Sequence, residues 1–83
     1  MQITIKLYAS LDKYLPANAE KNIAELTVDE GSTVMDVIKS LSLPQEHCHL
    51  VLVEGVYVSP SERDTRPMAE GEALAIWPPV AGG

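Results

Sequence analysis

Phenylalanine is absent from this chain, cysteine and tryptophan occur once each, and six basic residues face twelve acids. Each shortage removes a class of function. The lone Cys48 has no internal disulfide partner, so a disulfide framework is excluded and a reducing, cytoplasmic compartment is expected. One Trp and three Tyr are a poor kit for stacking on nucleic-acid bases. A net charge of −6 repels phosphate backbones and anionic headgroups, so neither nucleic acid nor membrane is expected as a partner. A protein with a basic face suits it better. No apolar run reaches the length of about 18 residues that a membrane-spanning helix needs. The opening Met1-Gln2-Ile3-Thr4-Ile5 alternates like a strand and lacks the basic-then-apolar layout of a signal peptide.

Charge is also missing from one end. Between Ala73 and Gly83 there is no Asp, Glu, Lys or Arg, although these make up 22% of the chain. Solvent-exposed tails are normally polar, so an uncharged stretch needs a reason. Pro78 and Pro79 fix φ and remove two N–H donors, which stops a preceding strand and favours an extended course. Residues 78–83 span roughly 20 Å when extended, at about 3.3–3.6 Å per residue. Gly82 and Gly83 lack a Cβ, so a chain ending there can thread a narrow channel, and the one reactive group it offers is the Gly83 carboxylate. A frayed terminus is the competing reading; the paired prolines, Val80 and the missing charge weigh against it.

The 83 residues are sufficient for one domain with a modest core. Residues 2–8 alternate, with Ile3, Ile5 and Leu7 on one face, and predict a half-buried strand. Leu11, Tyr14 and Leu15 predict a short helix over residues 9–15, closed by Pro16. A second strand is expected over residues 23–28. Val34, Val37, Ile38 and Leu41 form one apolar stripe at helical spacing, and Thr33 with Asp36 has the form of a capping box. Residues 50–53 and 56–58 read as strands joined by a tight Glu54-Gly55 turn. A polar loop over residues 59–70 precedes a last strand over residues 73–77. The sum is an α+β domain over residues 1–77, a mixed β-sheet with one main helix packed across it, followed by an extended tail over residues 78–83.

Three further groups invite a chemical reading. Glu46-His47-Cys48-His49 gathers metal-type ligands, but neighbours on one segment close a tetrahedral site poorly and no second Cys or His group exists elsewhere. No metal site is expected, and Cys48 as a thiol nucleophile lacks a prepared base. Arg63, Asp64 and Arg66 read as a solvated loop cluster. Trp77 reads as a core or rim residue over the last strand, with a second use as an interface anchor. Gly31, Gly55 and Gly71 fall at turns, with no phosphate-cradling spacing.

The end of the chain carries a resemblance. Ile76-Trp77-Pro78-Pro79-Val80-Ala81-Gly82-Gly83 matches the aromatic-Pro-Pro-Val-small-Gly-Gly signature of the MoaD/ThiS sulfur-carrier family, most closely its MoaD branch. Met68-Ala69-Glu70-Gly71-Glu72-Ala73-Leu74 resembles that family's turn before the last strand, with Glu70 and Glu72 where aspartates are usual and Met68 in place of leucine. The resemblance implies the ubiquitin-like β-grasp fold. It also implies that Gly83 is the reactive residue, first adenylated and then thiocarboxylated, and that Trp77, Pro78, Pro79, Val80, Ala81 and Gly82 bind partners along the approach. No cofactor would be bound by the chain itself; ATP would be used by the activating enzyme on Gly83. The implied partners are a larger, MoaE-like catalytic subunit of molybdopterin synthase, an E1-like, MoeB-like adenylating enzyme, and a sulfur donor protein. The chain would catalyse nothing alone. It would donate sulfur to a pterin precursor in molybdenum cofactor biosynthesis. Delivery to thiazole, cysteine or tRNA, attachment of Gly83 to a target lysine as a protein modifier, and simple docking are the alternatives.

Overall fold

Alternation along the first strand decides which side of the sheet becomes the core. In the computed structural model, which describes residues 1–79, β1 runs Gln2–Leu7 and buries Ile3, Ile5 and Leu7. It pairs antiparallel with β2 (Ile23–Thr27) and parallel with β5 (Ala73–Trp77). On its other edge β5 pairs antiparallel with β3 (Leu50–Val53), which forms a hairpin with the short β4 (Val56–Tyr57). The sheet order is therefore β2-β1-β5-β3-β4, mixed as expected, with the last strand at its centre.

The single α-helix, α1 (Val34–Ser40), begins at the expected place. The Thr33 hydroxyl accepts from Asp36 N–H at 3.1 Å, and Asp36 Oδ2 accepts from Thr33 N–H at 2.9 Å, a complete capping box. The Thr33 backbone N–H first, and the Thr33 side chain after it, hold the Asp36 carboxyl below its ordinary pKa. Val34, Val37 and Ile38 are fully buried and pack in one cluster with the inward residues of β1, β3 and β5. Each such side chain contributes roughly 1.5–3 kcal/mol by leaving water. Leu41, the fourth residue of the stripe, caps the helix and is half-buried.

The loop after β4 does more than connect. Met35 N–H donates to Arg63 O and Val34 N–H to Arg66 O, both at 2.9 Å, so the loop satisfies donors of the first helical turn that have no partner within the helix. Met68 is buried in the same core. Turn chemistry matches the hairpin: Glu54 (φ 50°) and Gly55 (φ 79°) are both left-handed, as a two-residue turn between twisted strands requires. Glu54 carries its strain beside a glycine that has none.

The short helix expected over residues 9–15 is a 3₁₀ helix, Ala9–Tyr14, that buries Leu11. One expectation is corrected. The Arg63, Asp64 and Arg66 group is not a solvated cluster. Arg63 is buried, donating from Nε to Val58 O at 3.3 Å and from Nη1 to Cys48 O at 2.9 Å, and Asp64 alone is left exposed. Arg66 instead pairs with Glu72, its two terminal nitrogens at 3.2 and 3.1 Å from the carboxylate oxygens. Among the described residues no helix is long and apolar enough to cross a membrane.

Candidate functional site

With α1 covering one face, the outward positions of the strands are fixed by register. Ile23 pairs with Lys6, Lys6 with Ala75, Ala75 with Leu52, and Leu52 with Tyr57. These five residues form one continuous row across all five strands on the side away from the helix. Its members are apolar except Lys6, and its two ends are open to solvent, Ile23 at 46% and Tyr57 at 50% exposure. A second row lies toward the end of β5, where Trp77 pairs with Leu50. Tyr8, following β1, stacks on Trp77 with ring centroids 4.3 Å apart and planes within 4°. Parallel strands bring these rings together.

Across the first row runs a shallow depression of about 360 Å³, with Ala73 and Ala75 along it and Lys6, Leu52, Glu54 and the aromatic pair around it. Alanine at Ala73 and Ala75 keeps its floor low, so a protruding apolar side chain of another protein would fit. An uncovered sheet face of this character is unusual for a surface, where outward strand positions are ordinarily polar. The sequence held a signal for it: β3 reads Leu-Val-Leu-Val and β5 Ala-Leu-Ala-Ile-Trp, without the polar alternation of β1. Tyr8, Lys6, Leu52, Tyr57 and Ile23 were not named by sequence reasoning because their sharing a face depends on register.

Trp77 therefore sits at the rim rather than in the core, half-buried under Tyr8, at the point where β5 ends. Pro78 is half-buried and Pro79 exposed. Val80, Ala81, Gly82 and Gly83, the remainder of the expected approach and its reactive end, lie outside the described residues.

Two features hold the chain leading into β5. Glu72 accepts from Ala69 N–H at 2.7 Å as well as from Arg66, and its carboxyl is held below its ordinary pKa, chiefly by the Arg66 hydrogen bonds. Across the sheet, Glu54 Oε2 accepts from Ala73 N–H at 2.7 Å, tying the hairpin turn to the first residue of β5.

The Glu46-to-His49 stretch does not converge. Cys48 is buried, donates its thiol to Pro44 O at 3.4 Å, and has its pKa raised by burial, so it stays a thiol at neutral pH. His47 and His49 are exposed, and among the described residues no group of three or more His, Cys, Asp or Glu is placed to hold a metal.

Comparison with known proteins matches this geometry. A family model described as Mut7-C ubiquitin matches residues 1–81. No curated protein matches the chain in sequence. Among solved structures, SAMP1 of Haloferax volcanii, a small archaeal modifier protein, superposes with a TM-score of 0.71 at 25% identity, covering 100% of both chains. The thiamine biosynthesis protein ThiS of Geobacter metallireducens gives 0.66 at 20% identity over 100% of both chains. A complex of subunits 1 and 2 of the molybdopterin-converting factor of Helicobacter pylori gives 0.62 at 11% identity, again over 100% of both chains. The fold is the ubiquitin-like β-grasp, as the MoaD/ThiS resemblance implied.

Proposed function

From the premise that the chain belongs to the Mut7-C ubiquitin family, we propose that it is a sulfur carrier whose working group is the carboxylate of Gly83. The observation that carries the reading is the apolar row on the open sheet face. It runs across β5, the strand that leads into the uncharged Pro78-Pro79-Val80-Ala81-Gly82-Gly83 stretch. A carrier needs two things, a surface by which another protein grips it and a slender acyl group to present. The sheet face supplies the first, with the Tyr8–Trp77 stack stiffening the exit of β5.

The chemistry follows from the carboxylate. Oxide is too poor a leaving group for direct acyl transfer, so the Gly83 oxygen attacks the α-phosphorus of ATP in the site of an E1-like, MoeB-like enzyme and pyrophosphate leaves. Sulfide released by a donor protein then attacks the acyl carbon, AMP leaves, and a thiocarboxylate remains. A charged side chain entering the enclosed channel would lose its hydration at a cost of several kcal/mol, which accounts for the missing charge. Transfer to a pterin precursor on a larger, MoaE-like subunit is the route favoured by the Trp-Pro-Pro-Val sequence. It is supported by the fold shared with a molybdopterin-converting factor that is itself in complex with a second subunit.

One observation favours a second reading. The 25% identity to SAMP1 exceeds the 20% and 11% to the thiamine and molybdopterin proteins, and SAMP1 is named a modifier. Gly83 would then end in an isopeptide bond to a lysine. One experiment separates the two: accurate-mass analysis of the peptide released after Glu72 from protein taken from its native cells. That peptide contains no methionine, whose oxidation would otherwise confuse an exchange of oxygen for sulfur. Sulfur in place of one oxygen on Gly83 supports the carrier. A Gly83–lysine branch supports the modifier, and further chain beyond Gly83 removes both.

A further inference from the structure

The register of β1 with β2 decides which main-chain groups of the outermost strand are left over. Val28 N–H donates to Met1 O at 2.8 Å and Leu7 N–H to Asn22 O at 3.0 Å, so Asn22, Ala24, Leu26 and Val28 face β1. Ile23, Glu25 and Thr27 therefore direct their N–H and C=O groups outward, along the free edge of the sheet. Half of that edge is closed. Glu20 and Ile23 exchange both main-chain hydrogen bonds, at 2.8 and 3.1 Å, and Asn18 Nδ2 donates to Glu25 O at 3.3 Å. The other half, Glu25 N–H and both main-chain groups of Thr27, has no partner among the described residues. Proteins ordinarily cover such edges, because an open one is a template for another strand.

Beside the open half runs a groove of about 540 Å³ between β2 and α1. Half-buried Leu26 and Val28 and buried Val37 make it apolar within, while exposed Asp29, Glu30 and Asp36 make its rim acidic. A strand added at Thr27 would send alternate side chains into this groove, and the others to the outer face beside exposed Glu25. We propose that the Thr27 end of β2 and this groove receive an extended segment of another protein in which apolar and basic residues alternate. Main-chain bonds to Thr27 supply affinity, the groove takes the apolar side chains, and the acids select for lysine or arginine. Glu30 contributes least, because the Met1 ammonium lies 3.7 Å away. A second copy of this chain is a poorer occupant, since it would bring its own Glu25, Asp29 and Glu30 against these, and like charges opposed across strands destabilise. The tail also falls short. Trp77 follows Ile76, which is level with Leu7, whereas Thr27 is level with Gln2 and two strands away, roughly 22 Å in all. Residues 78–83 span roughly 20 Å at full extension. The inference stands apart from the carrier reading, because it uses neither the Gly-Gly end nor the open sheet face.

The test is nitrogen-15 NMR of the whole chain, titrated at matched ionic strength with end-capped synthetic peptides. The probe is Lys-Val-Lys-Val-Lys; Lys-Ser-Lys-Ser-Lys and Glu-Val-Glu-Val-Glu control for apolar content and for charge. The probe is expected to give saturable shifts of the Glu25, Thr27 and Asp29 amides and to bind roughly tenfold or more tighter than either control. Asp29→Lys is expected to weaken the probe by roughly two- to fivefold and to strengthen the glutamate peptide. Thr27→Pro removes an outward N–H without touching the β1 ladder, and is expected to abolish the response. Shifts centred on Lys6, Leu52 and Ala75 instead, equal binding of the valine and serine peptides, or unchanged binding by Asp29→Lys would each overturn the proposal. So would concentration-dependent shifts of the same amides without peptide, because a second copy then takes the edge. Should Thr27→Pro fail to fold, the peptide series and Asp29→Lys decide alone.

Discussion

Replacing Glu72 with glutamine isolates the clasp that fixes the loop over residues 59–70 to the start of β5. Glutamine keeps the shape and one acceptor oxygen but loses the charge and the second acceptor toward Arg66. The pair is two-pronged, which strengthens it, yet its side chains are 35% and 21% exposed, so solvent screening cuts the gain. Weighing the two gives a loss of about 1 kcal/mol, the upper end for surface pairs. For a domain of this size that lowers Tm by about 4–8 °C. The sign with pH follows from the depressed carboxyl. Stabilisation by Glu72 is present above its unfolded pKa and disappears as pH falls through its lower folded pKa. Wild type and Glu72→Gln should therefore differ at neutral pH and converge in acid, as the Glu72 carboxyl takes up its proton. Thermal unfolding followed by circular dichroism, with Arg66→Met and the double variant completing a cycle, reads this directly. A Tm gap that survives unchanged in acid, or a cycle with no coupling energy, would refute the clasp as an ion pair.

Other consequences are open to measurement. Leu52→Lys places a charge in the middle of the open sheet row, where the lysine stem still lies along the sheet, so stability should change by no more than about 1 kcal/mol. Activation by an adenylating enzyme, read as ATP–pyrophosphate exchange, should fall by roughly tenfold or more if the row is a central contact; unchanged kcat/KM would remove the sheet face from the docking surface. Thr33→Ala should cost about 1 kcal/mol in chemical denaturation through loss of the helix cap. A cycle of Tyr8→Leu and Trp77→Leu should return a coupling of about 0.5–1.5 kcal/mol for the stacked rings; additivity would mean that the stack contributes only area.

What was readable in the sequence was local. The alternation of Ile3, Ile5 and Leu7, the Val34-Val37-Ile38 stripe with its Thr33 and Asp36 cap, and the Glu54-Gly55 turn each depend on neighbours within a few residues. What was not readable depends on pairings made at long range. Arg63 belongs to a residue type that is seldom buried. It is buried here because folding brings the carbonyls of Cys48 and Val58 within its reach, and nothing near it in sequence says so. The short helix after β1 was readable, but its 3₁₀ form was not; it starts where Tyr8 N–H bonds to Ile76 O on β5. The outward sheet rows needed the parallel register of β1 with β5 before Tyr8 could be placed against Trp77. For the tail, the sequence remains the source: Gly82 and Gly83 were singled out by composition and lie outside the described residues.

The central place of β5 bears on how the chain comes into being. A strand made late in synthesis lies between β1, made first, and the β3–β4 hairpin, and no pairing links those two parts without it. A nascent chain therefore has a hairpin and a helix but no core to close on until residues 73–77 have left the ribosome. Such high contact order delays collapse until β5 has been made and leaves apolar strands waiting beforehand. Folding is in effect a proofreading step: a chain cut short before β5 cannot hide its sheet, and quality control would meet it unfolded. A folded domain is thereby one that has been translated at least to the strand from which the Gly-Gly end extends.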